Sequence, residues 1–362
     1  MVIADAQCVI PTDDLQADIP FFTKTLKMRM ETIYPADDPK VAVFSGHGIS
    51  ICIDKDTCGS PAKINLLVDA PEKFSSGKVE LTAPNGTQFK VLQKNPPLIL
   101  PETQHEFVVR RLVDQAPWII GRAGMHYRDL IPNRLGGSII ASHIRIPDGG
   151  PVPDTVHYHT VGFQLIFCYK GWVDLVYEDQ GEPFRLFAGN CVIQPPEIRH
   201  KVLYASDNIE VIEIGVPAEH VTTIDHDMEL PTKEFNPERE FKGQKFVHNK
   251  ATESTWSDFR IPGFICRDTT IADNTKNVAG VQVVKPNGAM IKPSSHDCDI
   301  LFNFVMEGKM TLTATGQPAN ELNSGDAFVI PPNILTEYSN LSEDLELLEV
   351  SLPGRFKTHY DT

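Results

Sequence analysis

His157-Tyr158-His159, then Gln164 at the head of the run Gln164-Leu-Ile-Phe-Cys-Tyr-Lys170, then Gly171, Gly189, Pro195-Pro196 and His200: this stretch decides the fold. Two histidines one residue apart on a strand place both imidazoles on one face. His200 follows a Pro-Pro corner 36 residues after Gln164. Together the four side chains offer the nitrogen and oxygen donors that divalent transition metals take.

The 362 residues suffice for two or three domains, and 41% hydrophobic composition suffices for packed cores. With 28 Pro and 24 Gly, many short strands and turns are expected. A net charge of −15 argues against nucleic acid or an anionic membrane as partner. The seven cysteines form no CxxC pair and several sit in apolar runs such as Ile51-Cys52-Ile53, which suits free thiols in a reducing cytoplasm. No signal peptide and no run of 18 apolar residues is evident, so a cytoplasmic protein is expected.

Residues 3–10 read as a strand, and Pro11-Thr12-Asp13-Asp14 caps a helix with Leu15, Ile19, Phe22 and Leu26 at helical spacing. Strands follow near 29–35, 41–45, 49–54, 64–68 and 88–92. This β-α-β-β-β order, with the late Pro84-Asn85-Gly86 turn, resembles a glyoxalase/vicinal-oxygen-chelate module over residues 1–95. The resemblance implies metal ligands at Gln7 and Lys90. A protonated lysine cannot ligate, so a structural or dimerising role, and a homodimer, are expected instead. Residues 96–101, Pro-Pro-Leu-Ile-Leu-Pro, read as a semi-rigid linker. A second boundary near 230 separates regions 102–230 and 231–362.

Those two regions repeat one another. Arg128-Asp129, Gln164-x6-Gly171 and Gly189-x5-Pro195-Pro196 recur as Arg267-Asp268, Leu301-x6-Gly308 and Gly325-x5-Pro331-Pro332, offset by 136 to 139 residues. Each copy is a series of short β runs with turns between them, as in a small antiparallel barrel or jelly roll. The Arg-Asp pair persists in both copies and reads as structural.

At these residues the chain resembles the cupin superfamily, in two copies. His157-Tyr158-His159-x4-Gln164-x6-Gly171 matches that family's first motif, with Gln for the usual Glu and with Gly150 one residue further upstream than usual. Gly189-x5-Pro195-x4-His200 matches the second, with Glu197 at its inner Gly and Tyr204 at its Asn. The resemblance implies a mainly β fold: two cupin (double-stranded β-helix) barrels behind the small α+β module. It also implies one divalent transition metal (Fe, Ni, Zn, Mn or Cu) on His157, His159, Gln164 and His200. In the second copy Ser294, Leu301 and Thr336 replace ligands and only His296 remains, so that barrel is expected to be scaffold, lid or dimer surface, although Asp297, Asp299 and Glu337 lie near in sequence.

Three neutral imidazoles and an amide leave the metal's charge uncompensated, which favours Lewis-acid polarisation of a small oxygenated substrate over oxygen chemistry. Cupins with Gln at this position include sugar-acid ring-opening enzymes, an isomerase and polyketide cyclases. The resemblance therefore implies an isomerase, cyclase or lyase acting on a carboxylate, sugar-acid or keto compound. A bicupin dioxygenase and a non-catalytic metabolite-binding protein are the alternatives. For proton transfer and carboxylate binding, His143 and Arg145 share one face of the strand before the His-x-His motif and are the candidates, as is a solvent-facing placement of the same pair. Glu197 and Tyr169 are further candidate acids or bases, and Cys168 is in phase with Gln164.

Overall fold

The computed structural model describes residue 3 and residues 5–114, 117–288 and 290–360. The chain divides into two compact units, Met1–Pro97 and Leu98–Thr362. No described helix is long and apolar enough to cross a membrane.

In the first unit, strand Cys8–Pro11 leads into helix Leu15–Pro20, whose N-terminus is capped by Asp14 accepting from the Ala17 amide at 3.2 Å. The helix continues as a π turn, Phe21–Thr25, just past Pro20, whose ring removes a backbone donor. Its apolar face, Leu15, Phe22 and Leu26, is buried against Phe44, Ile51 and Phe89. The strands Arg29–Tyr34, Val41–Gly46 and Ile49–Asp54 complete a sheet in which Cys8–Pro11 runs parallel to Ile49–Asp54. A second sheet pairs Lys63–Val68 in parallel with Gln88–Gln93 and adds Glu80–Thr82. The order β-α-β-β-β is the one expected, although the first strand starts at Cys8 rather than at residue 3. Gln7 and Lys90 are both exposed.

The second unit holds two β barrels, each of two sheets. In the first barrel, Phe163–Lys170, Ile209–Val216 and Ile140–Ile146 are central to a seven-stranded sheet. Facing it, Trp172–Tyr177, His200–Ala205 and His157–His159 are central to a six-stranded sheet. The second barrel repeats this plan with seven and five strands. Strand alternation divides the side chains cleanly. Phe167, Ile212 and Ile214 point out of the first barrel and join Val283, Phe302 and Phe304 of the second in one buried cluster. Ile166 and Cys168, one residue out of phase, belong to the first barrel's own interior, and Gln164 shares their face.

The barrels trade parts. Val108–Arg110, which precedes the first barrel, is the edge strand of the second barrel's large sheet, paired with Ala327–Ile330. Val247–Asn249, which precedes the second, pairs with Cys191–Ile193 of the first. A division at residue 230 therefore does not separate two self-contained barrels. The repeated arginines follow the same reciprocity: Arg128 donates to the Gly325 carbonyl at 2.5 Å, and Arg267 donates to the Gly189 carbonyl at 2.7 Å. Each guanidinium binds the other barrel's glycine turn, which explains why the Arg-Asp pair persists in both copies.

The repeated glycines are conformational requirements. Gly171 and Gly308 sit at φ +74° and +73°, in the left-handed region. A Cβ on Gly171 would collide with the Ser206 hydroxyl, which accepts from the Trp172 amide, and would lie 3.3 Å from the Ile209 Cα. Gly171→Ala is expected to lower stability by about 1–3 kcal/mol, read as a lower urea midpoint at unchanged slope. Glu197 stands where the motif has Gly and takes φ +66°, as Asn333 does at +64° in the second barrel. The Glu197 side chain turns outward to Lys242 at 2.6 Å.

Candidate metal centre

His157 and His200 are register partners on adjacent antiparallel strands, and His159 lies two residues along from His157. The pleat turns all three imidazoles into the first barrel, where they are 0%, 8% and 2% exposed for His157, His159 and His200. Ring centroids are 4.2 Å apart for His157–His200 and 5.1 Å for each pair with His159. One ring nitrogen from each lies within 4.8 Å of the others, and among the described residues no other His, Cys, Asp or Glu group does this.

The outer nitrogens fix which atom faces inward. Nδ1–H of His157 donates to the Thr155 carbonyl at 2.8 Å, and Nδ1–H of His200 donates to the Ile198 carbonyl at 3.0 Å. His159 Nδ1 meets the Thr222 hydroxyl at 2.9 Å. A carbonyl only accepts, so His157 and His200 each hold the tautomer whose Nε2 carries a lone pair. Burial keeps the triad neutral: it pushes His159 down to about 2, and His157 and His200 also fall below the ordinary imidazole value, with the neighbouring rings adding to the effect at His159 and His200. Neutral imidazole is the metal-binding form.

Gln164 is 1% exposed. Its Nε2 donates to Glu213 Oε1 at 2.6 Å, while its own Oε1 has no protein partner. Glu213 is its diagonal neighbour on the adjacent strand, since Gln164 pairs with Gly215. Three converging neutral imidazoles, two of them with Nε2 fixed as the lone-pair nitrogen, and the buried, unpartnered Gln164 oxygen on the same barrel's inner face are donors that fit a divalent transition metal such as Fe, Ni, Zn, Mn or Cu.

The triad opens on a cavity of about 310 Å³. One part is aliphatic, with Ile140, Ile144, Ile166, Leu175, Ile209 and Val211 in its wall. The polar lining comprises the triad, Arg122, Gln194, Glu213 and His220, with the hydroxyl-bearing Tyr127, Ser142, Tyr177 and Thr222. Arg122 donates to His157 Nε2 at 3.0 Å and pairs with Asp154, a side chain 1% exposed that also accepts from the Val202 amide at 3.0 Å. His220 donates Nδ1–H to the Pro217 carbonyl at 3.0 Å, and its ring lies 5.5 Å from that of His159. The Tyr177 ring stacks on His200 at 5.5 Å, and its hydroxyl accepts from Gln194 at 3.0 Å.

His143 and Arg145 are not brought to this cavity. Ser142, Ile144 and Ile146 of the same strand line it, so alternation turns His143 and Arg145 the other way. His143 is wedged between the barrels, 2.7 Å from Glu210 and 3.0 Å from Arg128, with its ring against Trp118, Tyr169 and Phe304. Arg145 bonds Asn208 at 2.6 Å. Tyr169 donates to the Met306 carbonyl at 2.7 Å across the same interface. Cys168 is a buried thiol, pushed up to about 12 by desolvation, and does not line the cavity.

In the second barrel the expected losses are filled in. Ser294 and Thr336 are buried register partners, and the site of Gln164 is Leu301. Arg260 forms a two-pronged ion pair with Glu349, partly enclosed by Phe259 and Phe356. Asp297 caps the Lys357 amide at 2.7 Å, Asp299 pairs with His105 at 2.6 Å, and Glu337 is exposed, so none joins His296.

A cupin-domain family model matches residues 280–351, within the barrel that lacks the ligands. Among solved structures, salicylate 1,2-dioxygenase from Pseudaminobacter salicylatoxidans superposes with TM-score 0.55 at 14% identity, covering 73% of this chain and 90% of its own. A variant of the oxalate decarboxylase from Bacillus subtilis gives TM-score 0.53 at 14% identity, covering 72% and 81%. The formate complex of the Lactobacillus farciminis oxalate decarboxylase gives 0.53 at 14%, covering 72% and 91%. By fold, this chain is a bicupin. No curated protein matches the sequence.

Arg122, Glu213 and His220 line the bicupin's cavity with the triad and are not revealed by the motifs. The internal repeat carries a signal for two of them. Trp118-x3-Arg122-x-Gly124 recurs as Trp256-x3-Arg260-x2-Gly263, and Glu213 recurs as Glu349 at the same offset of 136 that links Gly189 to Gly325.

Proposed function

We propose that this bicupin is a metal-dependent enzyme acting on a small carboxylate with an apolar body, by lyase or isomerase chemistry. The observation that carries the reading is the convergence of three neutral imidazoles beside one guanidinium in a cavity with an aliphatic wall on one part. His157, His159, His200 and Gln164 would hold the metal. When bound, a divalent ion supplies positive charge that polarises an oxygen of the substrate and acidifies its neighbouring protons.

The chain's own groups account for the rest. Arg122 is anchored to Asp154 by one arm, and the other, which donates to His157 Nε2, would be released by a metal on that nitrogen and could then grip a carboxylate beside it. The aliphatic part of the wall suits a hydrocarbon body. The volume is roughly twice that of a cavity of about 150 Å³ that takes benzene, so a substituted ring or a branched chain fits. His220, with Nδ1 committed to Pro217 and Nε2 left over, is the group placed to carry a proton. Salicylate and oxalate, for which the structurally similar enzymes are named, are also carboxylates.

A dioxygenase is the second reading. Glu213, bonded to Gln164, stands one residue beyond the proposed donors, and its ionised form would make the site less charge-deficient than those four donors imply. Turnover of a panel of aromatic and branched carboxylates, followed with an oxygen electrode, separates the two. Product formed anaerobically supports the lyase or isomerase, and a strict oxygen requirement replaces it with the dioxygenase. Arg122→Ala is expected to weaken benzoate binding to the Co²⁺-loaded protein by roughly 100-fold in calorimetry, the loss of about 3 kcal/mol of charged hydrogen bonding, with cobalt content unchanged.

A further inference from the structure

We propose that Glu213 is the positioning residue of the metal centre: it orients Gln164 so that the amide oxygen, not the nitrogen, faces the cation. The inference rests on the metal-centre reading above and deepens it.

A side-chain amide has two ends that differ only in which donates. In the structure Gln164 Nε2 donates to Glu213 Oε1 at 2.6 Å, so Glu213 holds the NH2 end of the amide. The oxygen is thereby assigned to the other side, where it is buried with no partner in the protein. A buried carbonyl without a partner is unfavourable unless something positive completes it. With the bond removed, the amide can turn over and present NH2, which cannot ligate.

The second barrel acts as an internal control. Glu349 occupies the corresponding position, offset by 136 residues, on the corresponding strand. There Leu301 replaces the glutamine, and Glu349 is satisfied by both arms of Arg260. Arg122, the counterpart of Arg260, goes instead to Asp154 and His157 and makes no bond to Glu213. The carboxylate is thus common to both barrels, while its positive partner differs. In the second barrel it is a guanidinium; in the first the amide relays the carboxylate to a cation at the triad. Where the cation site is lost, the amide is lost and an arginine closes the pair.

Metal alone tests this. The purified full-length protein, stripped of metal, is titrated with Co²⁺ while the visible d–d spectrum is recorded for wild type, Glu213→Gln, Glu213→Leu and Gln164→Leu. The expected result is a Co²⁺ affinity about 10-fold weaker in E213Q and up to about 100-fold weaker in E213L, with a d–d spectrum that moves toward that of Q164L. In a Q164L background, E213Q is expected to change the spectrum no further, because Glu213 acts through the amide. E213Q is nearly isosteric and guards against a folding failure in E213L. Wild-type affinity and spectrum in both Glu213 variants would overturn the positioning role alone. A wild-type protein that takes up no cobalt would overturn the metal-centre reading and this inference with it.

Discussion

Replacing His157 and His159 with alanine together is expected to take metal content from one equivalent to below a tenth, and turnover to background. Two of four donors disappear, and the remaining imidazole and amide cannot hold a transition ion against solvent. The protein itself is expected to stay folded, because the rings contribute their polar atoms to the cavity and not to the packed cluster between the barrels. Elemental analysis of the purified variant, with circular dichroism as a folding control, measures both. His296→Ala is the matched comparison: its ring has lost its companions to Ser294 and Thr336, so metal content should be unchanged. Metal retained by the double variant at wild-type stoichiometry would place the centre elsewhere in the chain.

A steep loss of stability below pH 6.5 is the second large effect expected, in the metal-free protein. Five buried histidines, His143, His157, His159, His200 and His296, and the half-buried His248 are held below the ordinary imidazole value, each chiefly by desolvation. For His248 and His296 the folded value falls to about 4. The unfolded chain takes up these protons at about 6.5 and the folded chain does not. Their contribution is therefore complete above pH 6.5 and is lost as the pH falls toward the folded values. Each group contributes a slope of up to about 1.4 kcal/mol per pH unit, and half the combined slope amounts to on the order of 5 kcal/mol between pH 6.5 and 5. Asp18, Glu213 and Asp326 are raised by burial and act in the opposite direction, but they are fewer. Urea midpoints at pH 7 and pH 5 decide the matter. Equal midpoints would mean that water reaches these rings and that the triad is not held neutral by the fold.

The barrels were legible because their turns impose residue types locally. Gly171, Gly189, Gly308 and Gly325 all carry positive φ, and the spacing of His157, His159 and His200 follows from strand alternation and one register pair. What could not be read was which face of Ile140–Ile146 looks inward. His143 and Arg145 alternate with Ser142, Ile144 and Ile146, and both faces are buried, one by a cavity and one by another barrel. Polarity alone pointed the wrong way there, because the interface between barrels tolerates His143 once Glu210 and Arg128 satisfy it. Glu213 escaped notice for a related reason. It stands in Ile209–Val216 with Glu210, and only the pleat separates the carboxylate facing the cavity from the one facing His143.

The exchange of edge strands also governs how the chain can come into being. Val108–Arg110 leaves the ribosome early, yet its partner Ala327–Ile330 follows only some 220 residues later. At a synthesis rate of about 5–20 residues per second, that is a wait of roughly 10–45 s with an unpaired strand in solution. The sheet that carries Gln164 is likewise unfinished until Val247–Asn249 emerges, well past His200. The histidine triad is therefore complete in sequence before the barrel around it is closed. Fragments ending near residue 230 would display open sheet edges, the surfaces on which chains pair with one another. Such fragments are expected to aggregate, and the duplicated halves of this molecule have become a single folding unit that neither can leave.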